Sequence, residues 1–206
     1  MKKRTLVFLL CALCCVAASG AWTTSEAKAL RARGASAAAA NQSVTGTVVG
    51  IGGRMSGRSR PFTLIVNNYS SADDVERLNA ALRSGGQDAL MRILSKLSAG
   101  RLSIGNNVGV TANAVIATPT AEGGTKLTVL YERNVNFYEL RYGARSQDYR
   151  FGYAELYLDR TGKGAGTFIP AAKVKLEGDT WVVEDFGEFP ARLMGLRSRG
   201  SVGGAR

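Results

Sequence analysis

Histidine is absent from all 206 residues, and the three cysteines, Cys11, Cys14 and Cys15, lie before residue 16. Ser–His–Asp and Cys–His hydrolysis, imidazole acid–base catalysis, and zinc, copper or haem sites built on His or Cys therefore lack their parts. A charge switch between roughly pH 5 and 8 would need a strongly shifted carboxylate or amine, because imidazole is the side chain that titrates there unaided. Nucleotide fingerprints are missing too. Gly162, Gly164 and Gly166 form neither a Gly-x-Gly-x-x-Gly nor a Gly-Lys-Ser/Thr motif, and no βα unit surrounds them. The segment Asp159–Gly164 echoes an oxygen-ligand calcium loop, but Thr161 and Lys163 stand where that loop needs acids or amides, so it reads as a turn. No cofactor and no metal site is expected. Proline is scarce, at 4 residues, and the 45% hydrophobic and 21% charged fractions are those of a globular chain. Collagen-like repeats, long polar disordered tracts and a multi-pass membrane protein are excluded on that composition.

What is present begins with an address. Lys2, Lys3 and Arg4 precede the apolar run from Leu6 to Ala18 and the small residues Ser19, Gly20 and Ala21. That order predicts a secretory signal peptide over residues 1–21 and an exported protein, periplasmic or secreted. The run is shorter than the roughly 20 residues of a spanning helix, so no transmembrane segment is expected after cleavage. None of the cysteines follows Leu and two small residues, which disfavours lipidation. Cleavage would remove three of the 27 Lys and Arg and none of the 16 Asp and Glu, so the net charge of +11 becomes +8. The mature chain would hold no cysteine, and packing alone must stabilise it.

Residues 22–43 are rich in Ala, Ser, Thr and Arg with little to bury, and read as a flexible leader. A single domain is expected over 44–199, followed by a basic tail at 200–206. Val44–Ile51 and Pro61–Tyr69 read as strands around a Gly-, Ser- and Arg-rich loop at 52–60. Ser71 and Asp74 form a capping-box pattern ahead of Val75, Leu78 and Leu82 at helical spacing. Gly85-Gly86 then predicts a stop, and Leu90, Ile93, Leu94 and Leu97 a second helix. Strand character returns at Leu102–Ile104, Val108–Thr118, Lys126–Arg133, Phe151–Asp159 and Thr167–Ile169. Lys173–Glu177 and Thr180–Asp185 flank a Gly178-Asp179 turn. The expected fold class is α+β, a mostly antiparallel, curved β-sheet with an inserted helical hairpin at about residues 71–99.

The best positive feature is the loop carrying Arg54, Arg58 and Arg60, three guanidiniums among flexible glycines within nine residues. It reads as a solvated turn or as a cradle for phosphate, sulfate or carboxylate. Tyr131, Tyr138, Tyr142, Tyr149, Tyr153 and Tyr157 crowd into 27 positions, with Phe151, Tyr153, Glu155 and Tyr157 on one strand face. Such a face is sheet core or a surface for sugars and peptides, and Tyr153 and Tyr157 are its candidate contacts. The acidic run Glu184, Asp185 and Glu188 reads as a solvated strand end, since strand neighbours point to opposite faces. The reading this supports is a non-enzymatic binding domain of the cell envelope or extracellular space, contacting an anionic surface polymer, a lipid headgroup or a protein; nucleic acid is not expected. Two alternatives differ in class. One is a carboxylate-dependent hydrolase of envelope polysaccharide, with acids such as Glu155, Asp159, Glu184 and Glu188 facing one cleft. The other is an assembly protein pairing through sheet edges.

Overall fold

The computed structural model describes residues 39–51, 56–133, 148–178, 180–186 and 191–200. The expected signal peptide, leader residues 22–38, Arg54, Tyr138, Tyr142, Glu188 and tail residues 201–206 lie outside the described residues. The described elements are β1 (Ala39–Gly50), β2 (Ser59–Asn68), α1 (Ala72–Leu94), β3 (Gly100–Ile104), β4 (Val110–Ala112), β5 (Ala114–Pro119), β6 (Thr125–Glu132), β7 (Phe151–Leu158), β8 (Lys163–Glu177), β9 (Thr180–Asp185) and β10 (Ala191–Arg199). The fold is α+β. Its ten strands form one antiparallel sheet in the order β4-β3-β2-β1-β10-β8-β7-β6-β5, with β9 pairing to β8 off that path.

Two features of the architecture differ from expectation. The sheet is not strongly curled: bending is confined to single register shifts in the β1–β2, β1–β10, β8–β10 and β7–β8 ladders, where an extra residue kinks one strand locally. The helical hairpin is also corrected, to one helix. Ser71 caps it as the pattern requires, accepting from the Asp74 amide at 3.1 Å while Asp74 accepts from the Ser71 amide at 3.0 Å. At the expected stop only Gly86 leaves helical geometry, at φ 60° and ψ −144°. A hairpin needs a connection of about 2–5 residues to reverse the chain. One broken residue only interrupts the helix, and Leu78 and Leu82 before it join Leu90, Met91 and Leu94 after it in one buried cluster.

Strand boundaries follow burial. β1 begins at Ala39, inside the stretch read as leader, because Gln42 is buried there and accepts from the Tyr69 hydroxyl while donating to Ser198 at 2.7 Å. The expected strand 108–118 is split by Asn113, whose amide donates to the Leu97 carbonyl at 3.0 Å and accepts from the Glu132 N–H at 2.9 Å. Thr167–Ile169 and Lys173–Glu177 are parts of the single strand β8. Pro170 is tolerated within it because the β7–β8 register shifts between Ile169 and Ala172, where no ladder donor is needed.

The sheet has two unlike faces. On β7, Ala154, Leu156 and Leu158 point to the larger core cluster, shared with Val44, Phe62, Leu64, Phe168 and Leu193. Phe151 and Tyr153 point the other way, under α1 with Leu130 and Val174. Gln87 fastens the helix there as a strand would: its side-chain amide donates to the Val174 carbonyl and accepts from the Val174 N–H. Trp181 adds a 2.5 Å bond to Asn79. No helix among the described residues is long and apolar enough to cross a membrane.

Candidate functional site

Alternation along β2 sets the most informative geometry. Phe62, Leu64 and Val66 are buried in the larger core cluster. Residues two apart share a face, so Arg60 occupies the next core-facing position. Its ladder partner is Val48, itself packed against that cluster. Arg58, just ahead of the strand, reaches the same end of the core. A cavity of about 200 Å³ opens there, lined by Val48, Ile104, Phe168, Pro170 and Ala191 together with Gly50, Arg58 and Arg60. An apolar cavity of about 150 Å³ accommodates a benzene ring, so this one admits a ring or a short acyl segment.

Backbone hydrogen bonds fix the chain that carries Arg58 and Arg60 at this end of the sheet. Gly57 (φ 72°) turns the chain. Its N–H bonds the Gly50 carbonyl at 3.0 Å, and the Gly50 N–H bonds the Arg58 carbonyl at 2.9 Å. The Gly105 N–H bonds the Pro61 carbonyl at 2.8 Å. Gly105 leaves room for Arg60, whose guanidinium lies 3.6 Å from where a β-carbon would stand. No carboxylate lines the cavity among the described residues. The arrangement can hold a carbon body by burial and an anionic head by charge-assisted hydrogen bonds. Arg54 lies outside the described residues.

Tyr153 and Tyr157 are elsewhere, on the opposite face of the sheet, and the structure does not bring them to the arginines. They converge on Glu155, which accepts from Tyr153 Oη at 2.6 Å and Tyr157 Oη at 3.1 Å and pairs with Lys126. The Lys126 ammonium also stands 5.6 Å above the Tyr157 ring. Partial burial pushes the Glu155 carboxyl up, but the Lys126 and Tyr153 contacts outweigh it and hold the pKa below the ordinary carboxylate value. Burial, reinforced by Glu155, drives the Tyr153 phenol well above its usual range. Tyr153 lies beneath α1, whereas Tyr157 remains exposed.

The other acids hold separate local partners. Asp159 accepts from the Thr161 and Lys163 amides and closes the β7–β8 turn. Glu184 accepts from Tyr149 at 2.5 Å and pairs with Lys175 at 2.9 Å. Among the described residues no group of three or more His, Cys, Asp and Glu is placed to hold a metal. The pocket walls Val48, Ile104, Phe168, Pro170 and Ala191 were not singled out from sequence. The available signal was Arg60 two positions before Phe62, a charge in the apolar register of its strand. Compared with known protein families, curated sequences and solved structures, the chain matches none.

Proposed function

We propose that this chain is an exported, non-enzymatic binding domain that takes a small amphiphilic anion, with its carbon body in the cavity and its head group on Arg58 and Arg60. The observation that carries this reading is an apolar cavity with two arginines, Arg58 and Arg60, among its lining residues, Arg60 in the core-facing register of β2. Arg60 is exposed, but it continues the register of the buried Phe62, Leu64 and Val66, where a cation is not ordinary. Each methylene the cavity removes from water contributes about 0.8 kcal/mol, and a hydrogen bond to a charged group about 1.5–3 kcal/mol. Head and tail therefore contribute comparably for a short ligand. A carboxylate-dependent hydrolase has less support, because Glu155, Asp159 and Glu184 are each engaged with separate partners.

Calorimetric titration with octanoate and with octanol, which shares the tail and lacks the charge, tests the proposal. Octanoate binds the more tightly, and Arg58→Ala/Arg60→Ala removes that preference, weakening octanoate by about tenfold or more while leaving octanol within twofold. Equal affinity for the two ligands in the unaltered protein refutes the role of the arginines. No binding of either refutes the pocket.

A further inference from the structure

Among the described residues no helix covers the outward face of β4, β3, β2, β1 and β10: α1 packs on β5–β9 instead. These five adjacent strands contain no Asp or Glu. They carry Arg101 on β3 and Arg192, Arg197 and Arg199 on β10, all exposed and all opposite in register to the buried Leu102, Leu193 and Leu196. The ladders arrange them in rows across the sheet. One row runs Arg101–Ile65–Ser43–Arg199. The next runs Ser103–Thr63–Thr45–Arg197–Lys163. In that row Arg197 faces Lys163 directly, a like-charge pair that weakens a sheet when nothing lies between the charges. Among the described residues none of the four arginines has a carboxylate partner. The nearest acid in register on this face, Glu155 on β7, is already held by Lys126.

We infer that this face docks an acidic polysaccharide, whose carboxylates bridge the arginines while its hydroxyls meet the Ser and Thr rows between them. At about 4.8 Å per strand, Arg101 and Arg199 stand roughly 14 Å apart, so a polymer engages both where a single small anion reaches one. The chemistry favours sugar over the other polyanions. Single-stranded nucleic acid is gripped through aromatic platforms, and no aromatic side chain points outward from these strands; Phe62 is buried on the other side. Peripheral membrane binding needs a continuous apolar face inserted beside the charges, and here Ile65 stands between Arg101 and Ser43 while Met194 lies in a different row, beside Thr47.

The test is retention of the purified protein on immobilised polygalacturonate, with dextran as the uncharged control, and with oligo-dT and phosphatidylcholine–phosphatidylglycerol vesicles as the other anions. Polygalacturonate retains the protein, salt releases it and dextran does not bind. Arg101→Gln/Arg192→Gln/Arg197→Gln/Arg199→Gln weakens retention by roughly tenfold or more with an unchanged melting temperature, since each exposed charge pair is modest alone. The quadruple Lys variant, which keeps the charge, retains most of the binding. Arg58→Ala/Arg60→Ala leaves retention within twofold, so this face and the cavity fail or stand independently. Unchanged retention by the Gln variant overturns the inference, as does equal or stronger binding to oligo-dT or to the vesicles.

Discussion

Ala191 is the position at which the cavity reading can be pressed hardest. It is buried at the start of β10, pairs with Phe168 and Gly50, and forms part of the cavity wall. Ala191→Leu adds three carbons where the cavity leaves about 200 Å³ unfilled. At about 0.8 kcal/mol per methylene removed from water, filling contributes up to about 2.4 kcal/mol. Ordering the leucine side chain takes back about 0.5–1 kcal/mol, leaving a net gain near 1.5 kcal/mol. For a domain of this size that raises the melting temperature by about 3–6 °C. The same substitution occupies the space assigned to the ligand tail, so octanoate affinity falls by about tenfold or more. Differential scanning calorimetry and titration on one preparation read both effects. A lower melting temperature would mean that the wall is already close-packed and the leucine strains it. A stabilised variant with undiminished octanoate binding would place the ligand elsewhere. Either result refutes the reasoning.

Two further predictions concern the fold. Asn113→Ala leaves the Leu97 carbonyl and the Glu132 N–H without their partner at the joint between β4 and β5, and is expected to cost about 1–3 kcal/mol in urea unfolding; a loss under 0.5 kcal/mol would show that water replaces the side chain at about equal cost. Glu155 has its carboxyl pKa depressed in the folded state, so the stability it contributes is complete above the unfolded value near 4.3 and is lost as pH falls through the lower folded value. The urea midpoint therefore drops on acidification below about pH 5, and Glu155→Gln flattens part of that slope; parallel pH profiles for the two proteins would show that Glu155 is not linked to folding.

Several elements were legible because their signals are local. Ser71 and Asp74 announce a helix start through atoms three residues apart, and Thr180–Asp185 announces a strand after a Gly178 turn. Gly85-Gly86 was legible as a break but not as its consequence. Whether a chain reverses at a glycine depends on what both halves can bury, and here they share one cluster beneath β6–β9. β10 gave no such signal. Ala-Arg-Leu-Met-Gly-Leu-Arg-Ser-Arg holds a glycine and three arginines and reads as neither strand nor helix, yet it lies near the centre of the sheet between β1 and β8. Its alternation is broken between Leu193 and Leu196 by a register shift at Gly195 (φ 60°), which returns Leu196 to the core. A bulge of this kind is set by two neighbouring strands at once and leaves no period in the third.

Absence is decided by composition alone: a chain without imidazole cannot use it in any fold. Local order is decided nearly as early, since caps, turns and alternating strands depend on atoms a few residues apart. Where charges end up is a different matter. Arg60 and Arg192 look alike in the sequence and both are exposed, but one follows the core-facing register of β2 and lines a cavity, and the other lies on the opposite face from the buried Leu193. The difference comes from strand pairing, which moves every side chain to the opposite face when it slips by one residue. For Arg60 that choice is made with Val48, twelve residues away, and for Arg192 with Val49, more than a hundred residues away, and only the assembled sheet makes both.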